Sequence, residues 1–190
     1  MPNALGGSGR DDDPVLDAVF MLFMRSGYGG FSMGDVAQTA GVPERDVTGR
    51  GARAELVMAA LERAVPAIVG CPDTGTWRGD LLQIVLWQMD LLRMYGPVID
   101  RSMQSAQDSE EYATTAREAT NRRLVRYRPM FERAIARGEV DPGLDYDSAL
   151  DLMLGQVYAR YLTGRPTEPE DAVAIVDLVL QGLTASSERS

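Results

Sequence analysis

Residues 15–42 read VLDAVFMLFMRSGYGGFSMGDVAQTAGV. Asp13-Pro14 just before them is a helix start, because Asp caps free N–H groups and Pro suits the first helical position. Val15, Leu16, Val19, Phe20, Leu22 and Phe23 then recur at helical spacing. Gly27 tolerates the positive φ that ends such a helix. Ser32-Met33-Gly34-Asp35 is a capping box with Asp in the usual Glu place, and Phe31 and Val36 are spaced as a hydrophobic staple. A second helix over 33–39 follows, and Gly41 supplies the tight turn after it. Pro43 opens a third helix through Glu44, Arg45, Asp46, Val47 and Thr48, which Gly49 and Gly51 stop early. Three helices around a glycine turn make a helix-turn-helix head.

Outward from this head the pattern stays helical. A fourth helix is expected from Arg53 to Val69, and a buried fifth over 77–95 that ends at Gly96-Pro97. A short helix over 98–105 precedes a long one, capped near Asp108 and running to Arg137. Asp145 caps the next through Leu162, and a last helix covers 168–185 after Thr167. No alternating run has strand character. The expected fold class is all-α, with roughly nine helices.

The chain has 190 residues, of which 45% are hydrophobic, enough for a substantial core. Cys71 is the only cysteine and histidine is absent, which argues against disulfides, thiolate metal clusters, His-based zinc sites and His-dependent triads. No catalytic residue, metal or cofactor is expected. The start MPNALGGSGR reads as a tail over 1–10 without signal-peptide character, and no apolar run approaches the ~20 residues of a membrane span. A cytoplasmic location with no membrane partner is the expectation. The net charge is −9, and all cations are arginines. Residues 1–63 carry six arginines against nine acids, and the rest thirteen against nineteen, so neither part attracts phosphate non-specifically.

Taken together, Leu16-Asp17-Ala18, Phe20, Leu22-Phe23, Gly27-Tyr28, Ser32-Met33, Val36-Ala37 and Ala40-Gly41-Val42 resemble the first two helices and turn of the TetR family of bacterial transcriptional regulators. Arg53 with Leu56-Val57-Met58-Ala59-Ala60-Leu61 resembles the start of that family's fourth helix, and residues 136–166 are similar to the later part of its C-terminal domain. The resemblance implies a DNA-binding head over 11–52 and an effector-binding and dimerisation bundle over 53–190, with the fourth helix connecting them. One segment departs from the family. Thr48 stands where the family has a phosphate-reaching Tyr, the anchoring Phe is missing, and the third helix is one residue short.

On this resemblance Ser32, Arg45, Thr48, Arg50 and Arg53 are the DNA-contact residues: Arg45 for base edges or phosphate, Thr48 for phosphate or a thymine methyl, Arg53 for phosphate, Ser32 for phosphate from a helix N-terminus. Trp87, Met94, Tyr127, Phe131, Met153 and Tyr158 are expected among the lining of an effector pocket, since Met and aromatic side chains make adaptable apolar walls. Leu154, Val157, Tyr161, Val176, Val179, Leu180 and Leu183 are expected to pair with their copies in a second subunit, where Gly155 and Gly182 permit close approach. The implied protein is a homodimeric repressor that leaves double-stranded operator DNA when a small apolar effector binds. The rival is a ligand- or partner-binding protein of the same fold that has lost sequence-specific DNA binding, favoured by the acidic balance, the missing lysine and the shortened third helix.

Overall fold

The computed structural model describes residues 13–65, 70–165 and 168–187. The expected tail, the final residues of the expected fourth helix and the Thr167 cap lie outside these. Among the described residues the fold is all-α: α1 (Pro14–Ser26), α2 (Met33–Ala40), α3 (Glu44–Thr48), α4 (Arg53–Ala64), α5 (Trp77–Asp108), α6 (Glu110–Val125), α7 (Arg128–Ala136), α8 (Tyr146–Leu162) and α9 (Pro169–Ser187), with a 3₁₀ turn at Tyr28–Gly30. Contacts divide the chain into two compact units, one from residues 1–66 with 100–117 and one from 67–99 with 118–190.

In the first unit α1 packs on α4 and α2, and α2 on α3. Each start is chemically fixed. The Asp13 carboxylate accepts from the N–H groups of Val15 and Leu16 at 3.1 and 3.3 Å. The Asp35 N–H donates to Ser32 Oγ at 3.1 Å while the Ser32 N–H donates to Asp35 Oδ2 at 2.7 Å, closing the expected capping box. Gly41 sits at φ 70°, ψ 30°, the left-handed conformation that ends α2. Val15, Val19, Leu22, Phe23, Val36, Val47 and Val57 are buried. Beneath them lies an aromatic group. The rings of Phe23 and Tyr112 stack at 5.7 Å, and Tyr28 tilts against Tyr112 at 5.1 Å.

The second unit is built around α5, α7, α8 and α9, with Leu81, Ile84, Val85, Met130, Phe131, Leu150, Met153, Ile175 and Val176 in its core. The Thr74 N–H and hydroxyl both donate to the buried Asp80 carboxylate, at 2.6 and 2.8 Å, and Arg137 faces that carboxylate at 3.7 Å. Glu139 accepts from the Trp77 N–H. These bonds tie the segment before α5 to the end of α7. Asp145 caps α8 through the Asp147 and Ser148 N–H groups, as expected.

Three helix boundaries differ from the sequence reading. The fourth helix, expected to reach Val69, stops at Ala64: Val65 is extended at φ −98°, ψ 98°, as the residue before Pro66 is biased to be. The expected single helix up to Arg137 is broken into α6 and α7. Pro129 explains the break: it carries no N–H and its ring collides with the carbonyl four residues back, so it is accommodated only in the first turn of a new helix. The break expected at Gly96-Pro97 occurs as a kink. Tyr95 leaves helical geometry at φ −124°, ψ 16°, and the chain resumes as helix to Asp108 with Pro97 inside. Gly96 faces the Tyr161 ring so closely that a Cβ there would collide with it. Glycine is therefore a packing requirement at the kink.

Candidate functional site

The helix-turn-helix presents α3 as its reader, and α3 is five residues long. Val47 is its one buried side chain, and the rest face solvent. The five expected DNA-contact residues are not equally available. The Arg45 side chain is 84% exposed and lies 3.6 Å from Asp46. It is the one candidate whose guanidinium projects from the reader. The Thr48 hydroxyl donates backward to the carbonyls of Glu44 and Arg45, at 3.2 and 3.4 Å. Ser32 is occupied as the α2 cap.

Arg50 and Arg53 each have partners within the chain; Arg50 is exposed and Arg53 half-buried. Arg50 Nη1 donates to both carboxylate oxygens of Asp13, at 2.8 and 2.7 Å, closing the C-terminal end of the reader onto the start of α1. Arg53 donates to the Phe31 carbonyl at 3.0 Å, and its guanidinium lies 4.3 Å above the Tyr28 ring. Arg53 is therefore a strut of the glycine corner at Gly27–Gly30 as much as a surface cation.

The Asp13–Arg50 pair makes the head acid-sensitive. Burial pushes the Asp13 carboxyl up, but the Arg50 hydrogen bond, the Leu16 and Val15 N–H groups and the Arg50 charge together hold it below its ordinary 3.8. A depressed carboxyl contributes stability above its unfolded value, and this is lost as pH falls through the lower folded value. Arg50→Gln is expected to lower the melting temperature slightly in the neutral region and to flatten the acid limb below pH 3.8, so that the two profiles converge in acid. Parallel acid limbs for the two proteins would show that the pair carries no such linkage.

In the second unit Tyr127, Phe131 and Met153 are core residues, Trp87 and Tyr158 are half-buried, and Met94 is exposed. The expected interface residues also separate. Val157, Val176 and Val179 are fully buried inside the chain and offer no atoms to a second copy, which corrects their placement on the surface. They occupy the inner faces of α8 and α9, which pack on each other. Leu154, Tyr161 and Leu180 are half-buried at the margin, and the Leu183 side chain lies outside the described residues. Among the described residues the large exposed apolar side chains of these helices are Leu152, Leu162, Val173 and Leu178. Helical periodicity gave the apolar rows but not which row faces inward.

The C-terminal part, residues 71–179, matches the family described as tetracyclin repressor-like, C-terminal domain. The chain belongs to the TetR family. Among solved structures, TetR family transcription regulator SCO0332 is similar at 25% identity over 89% of this chain and 96% of that one, with a TM-score of 0.70. The transcriptional regulator FadR from Bacillus subtilis, in complex with stearoyl-CoA, is 16% identical over 90% and 96%, with a TM-score of 0.64. The TetR family regulator PfmR from Thermus thermophilus is 22% identical over 90% and 99%, with a TM-score of 0.56. No curated protein matches the sequence. This TetR-family chain has a transcription-regulator fold, all-α like those relatives, and among its described residues no helix is long and apolar enough to cross a membrane.

Two residues that support the TetR-type head are absent from the sequence reading. Tyr112 is wholly buried against Phe23 and Tyr28, and Ser105 Oγ accepts from the Tyr28 N–H at 3.3 Å. The signal for Tyr112 was its isolation: it is the one aromatic in the polar helix EEYATTAREATNRRLV. Nothing local in the sequence marks Ser105.

Proposed function

We propose that this chain is a homodimeric, DNA-binding transcriptional repressor released by a small-molecule effector. The observation that carries the reading is the helix-turn-helix itself: α2 capped by Ser32 and Asp35, turned at left-handed Gly41, and presenting Arg45 from α3. Pairing of α8 and α9 with a second copy would cover Leu152, Leu162, Val173 and Leu178, with Leu154, Tyr161 and Leu180 at the edge. The stearoyl-CoA held by the Bacillus subtilis relative supports an effector with a long apolar part, received among Trp87, Met94, Tyr127, Phe131, Met153 and Tyr158. A cytoplasmic place and a non-enzymatic role accord with this reading.

The head over 11–52 would then be the DNA-binding part, and the chain from 53 onward the effector and dimer part, with α4 between. Binding of duplex DNA from around the chain's own gene, titrated in a gel shift across a salt series, tests it. Complex formation with a steep salt slope is expected, and Arg45→Ala should weaken it by about 1–3 kcal/mol. A folded dimer that shifts no such duplex at low salt would instead establish the rival, a regulator-like sensor without specific DNA binding. One observation favours that rival: Thr48, Arg50 and Arg53 are all engaged within the chain.

A further inference from the structure

A cleft of about 510 Å³ opens in the first unit, lined by the glycine corner 27–30, Ser26, Arg53, Arg101, Gln104, Ser105, Asp108 and Ser109. Its volume is in the range of sites for small organic molecules, roughly 300–1,000 Å³. The lining is polar, unlike the Met and aromatic pool of the second unit. Two arginines face one carboxylate, so the cleft is locally cationic in a chain of net charge −9. Neither Arg53 nor Arg101 has a carboxylate within ion-pair distance among the described residues, although many other arginines of this acidic protein do. Arg101 makes a single long contact, 3.4 Å, to Gln104.

The walls are held before any ligand arrives. The Tyr28 N–H bonds Ser105 Oγ, and Arg53 is fixed by the Phe31 carbonyl and the Tyr28 ring. Gly27, at φ 73°, places bare backbone 3.8 Å, measured from its would-be Cβ, from both Arg101 and Ser105 Oγ. A side chain there would strain the backbone and occupy the corner. Pre-set donors around a concave centre where two arginines meet the Asp108 carboxylate, with Glu111 near the Tyr28 hydroxyl, fit an anion, because charge-assisted bonds from guanidinium are the strongest such contacts. Asp108 and Gln104 add acceptors suited to hydroxyl groups, and the volume exceeds what an inorganic ion fills.

We propose that this cleft binds a hydroxylated organic anion, a sugar phosphate or hydroxy acid, with Arg53 and Arg101 on the acid group and Asp108 and Gln104 on hydroxyls. The site is separate from the apolar effector region and bears on the corner that leads into the Ser32 cap of α2. It does not depend on DNA binding: the readout needs no DNA, so its failure and failure of the repressor reading are told apart.

The test is calorimetric titration of the full chain at low salt with glucose 6-phosphate, glycerol 3-phosphate, citrate, inorganic phosphate and glucose. Saturable one-to-one binding of at least one organic anion, tighter than inorganic phosphate and with glucose silent, is expected. Arg101→Gln should weaken it about tenfold or more, and Arg78→Gln in the second unit should not change it. The Arg101→Gln variant alters a half-exposed side chain, and circular dichroism verifies its fold. The idea is overturned if no organic anion saturates the protein, if inorganic phosphate binds as tightly as the esters, or if Arg101→Gln binds like the parent. Loss of duplex affinity alone in Arg101→Gln, with no small anion bound by the parent, would hand these arginines to the DNA backbone instead.

Discussion

Tyr112→Ala is expected to lower the stability of the first unit by about 3–5 kcal/mol, the range for deleting a large buried aromatic. Tyr112 is fully buried, stacks on Phe23, touches Tyr28, and shares a 2.7 Å hydrogen bond with Ser102. Its removal empties the space beneath α1 and the glycine corner together. Backbone at that corner is already committed to positive φ at Gly27 and cannot relax freely into the void. Denaturant unfolding should show a lower midpoint with little change in slope. Tyr112→Phe keeps the ring and should lose about 1 kcal/mol, the usual net value of one hydrogen bond. If alanine and phenylalanine variants were equally stable, the aromatic group would not be the support the packing describes.

The same residue sets an alkaline limit. Burial pushes the Tyr112 phenol up to about 12 from an ordinary 10.0, with the Ser102 hydrogen bond opposing. A raised folded value contributes stability that is complete below pH 10.0 and is lost as pH rises toward 12. The full effect is on the order of 3 kcal/mol. Tyr112→Phe, having nothing to ionise, should lose less stability over that interval than the parent. Coincident alkaline limbs would place the titration elsewhere.

Much of the first unit was legible because its signals are local. Asp13 before Pro14, Ser32 three residues before Asp35, and glycine at 41 each act within one helical turn, and each behaves as its chemistry requires. The early stop of α3 before Gly49 was legible for the same reason. Distant partnerships were not. Nothing in the spacing tells that Arg50 bonds Asp13 or that Arg53 lies over Tyr28, two contacts that give cations read as DNA-facing a partner within the chain as well. The rows of α8 and α9 failed in a related way. Valine and leucine both satisfy an apolar period, yet Val157, Val176 and Val179 turn inward while Leu152, Leu162 and Leu178 stay outside. Only the packing of one helix on another decides which row is core. Pro129 was a local signal passed over, and it cost the reading one helix boundary.

Val47→Asp should abolish DNA binding while leaving most of the global stability in place. Val47 is wholly buried and is the one side chain that holds α3 against its neighbours. A carboxylate there faces a burial penalty of up to roughly 3–5 pKa units, or about 4–7 kcal/mol. A helix of five residues with Gly49 at its end has little of its own to oppose that penalty, since isolated helices this short do not persist. The inexpensive response is for α3 to detach, so the loss is capped at the free energy that docks it. Amide exchange should therefore become fast over residues 44–50, with α1 and α4 still protected and the melting temperature shifted by only a few degrees. Arg45→Ala differs in kind: it removes a contact from a reader that stays docked, so exchange should match the parent while duplex affinity falls. If Val47→Asp kept parental duplex affinity, α3 would not be the element that meets DNA. If it unfolded the whole first unit, α3 would be an integral part of that core rather than a short reader pinned by one side chain.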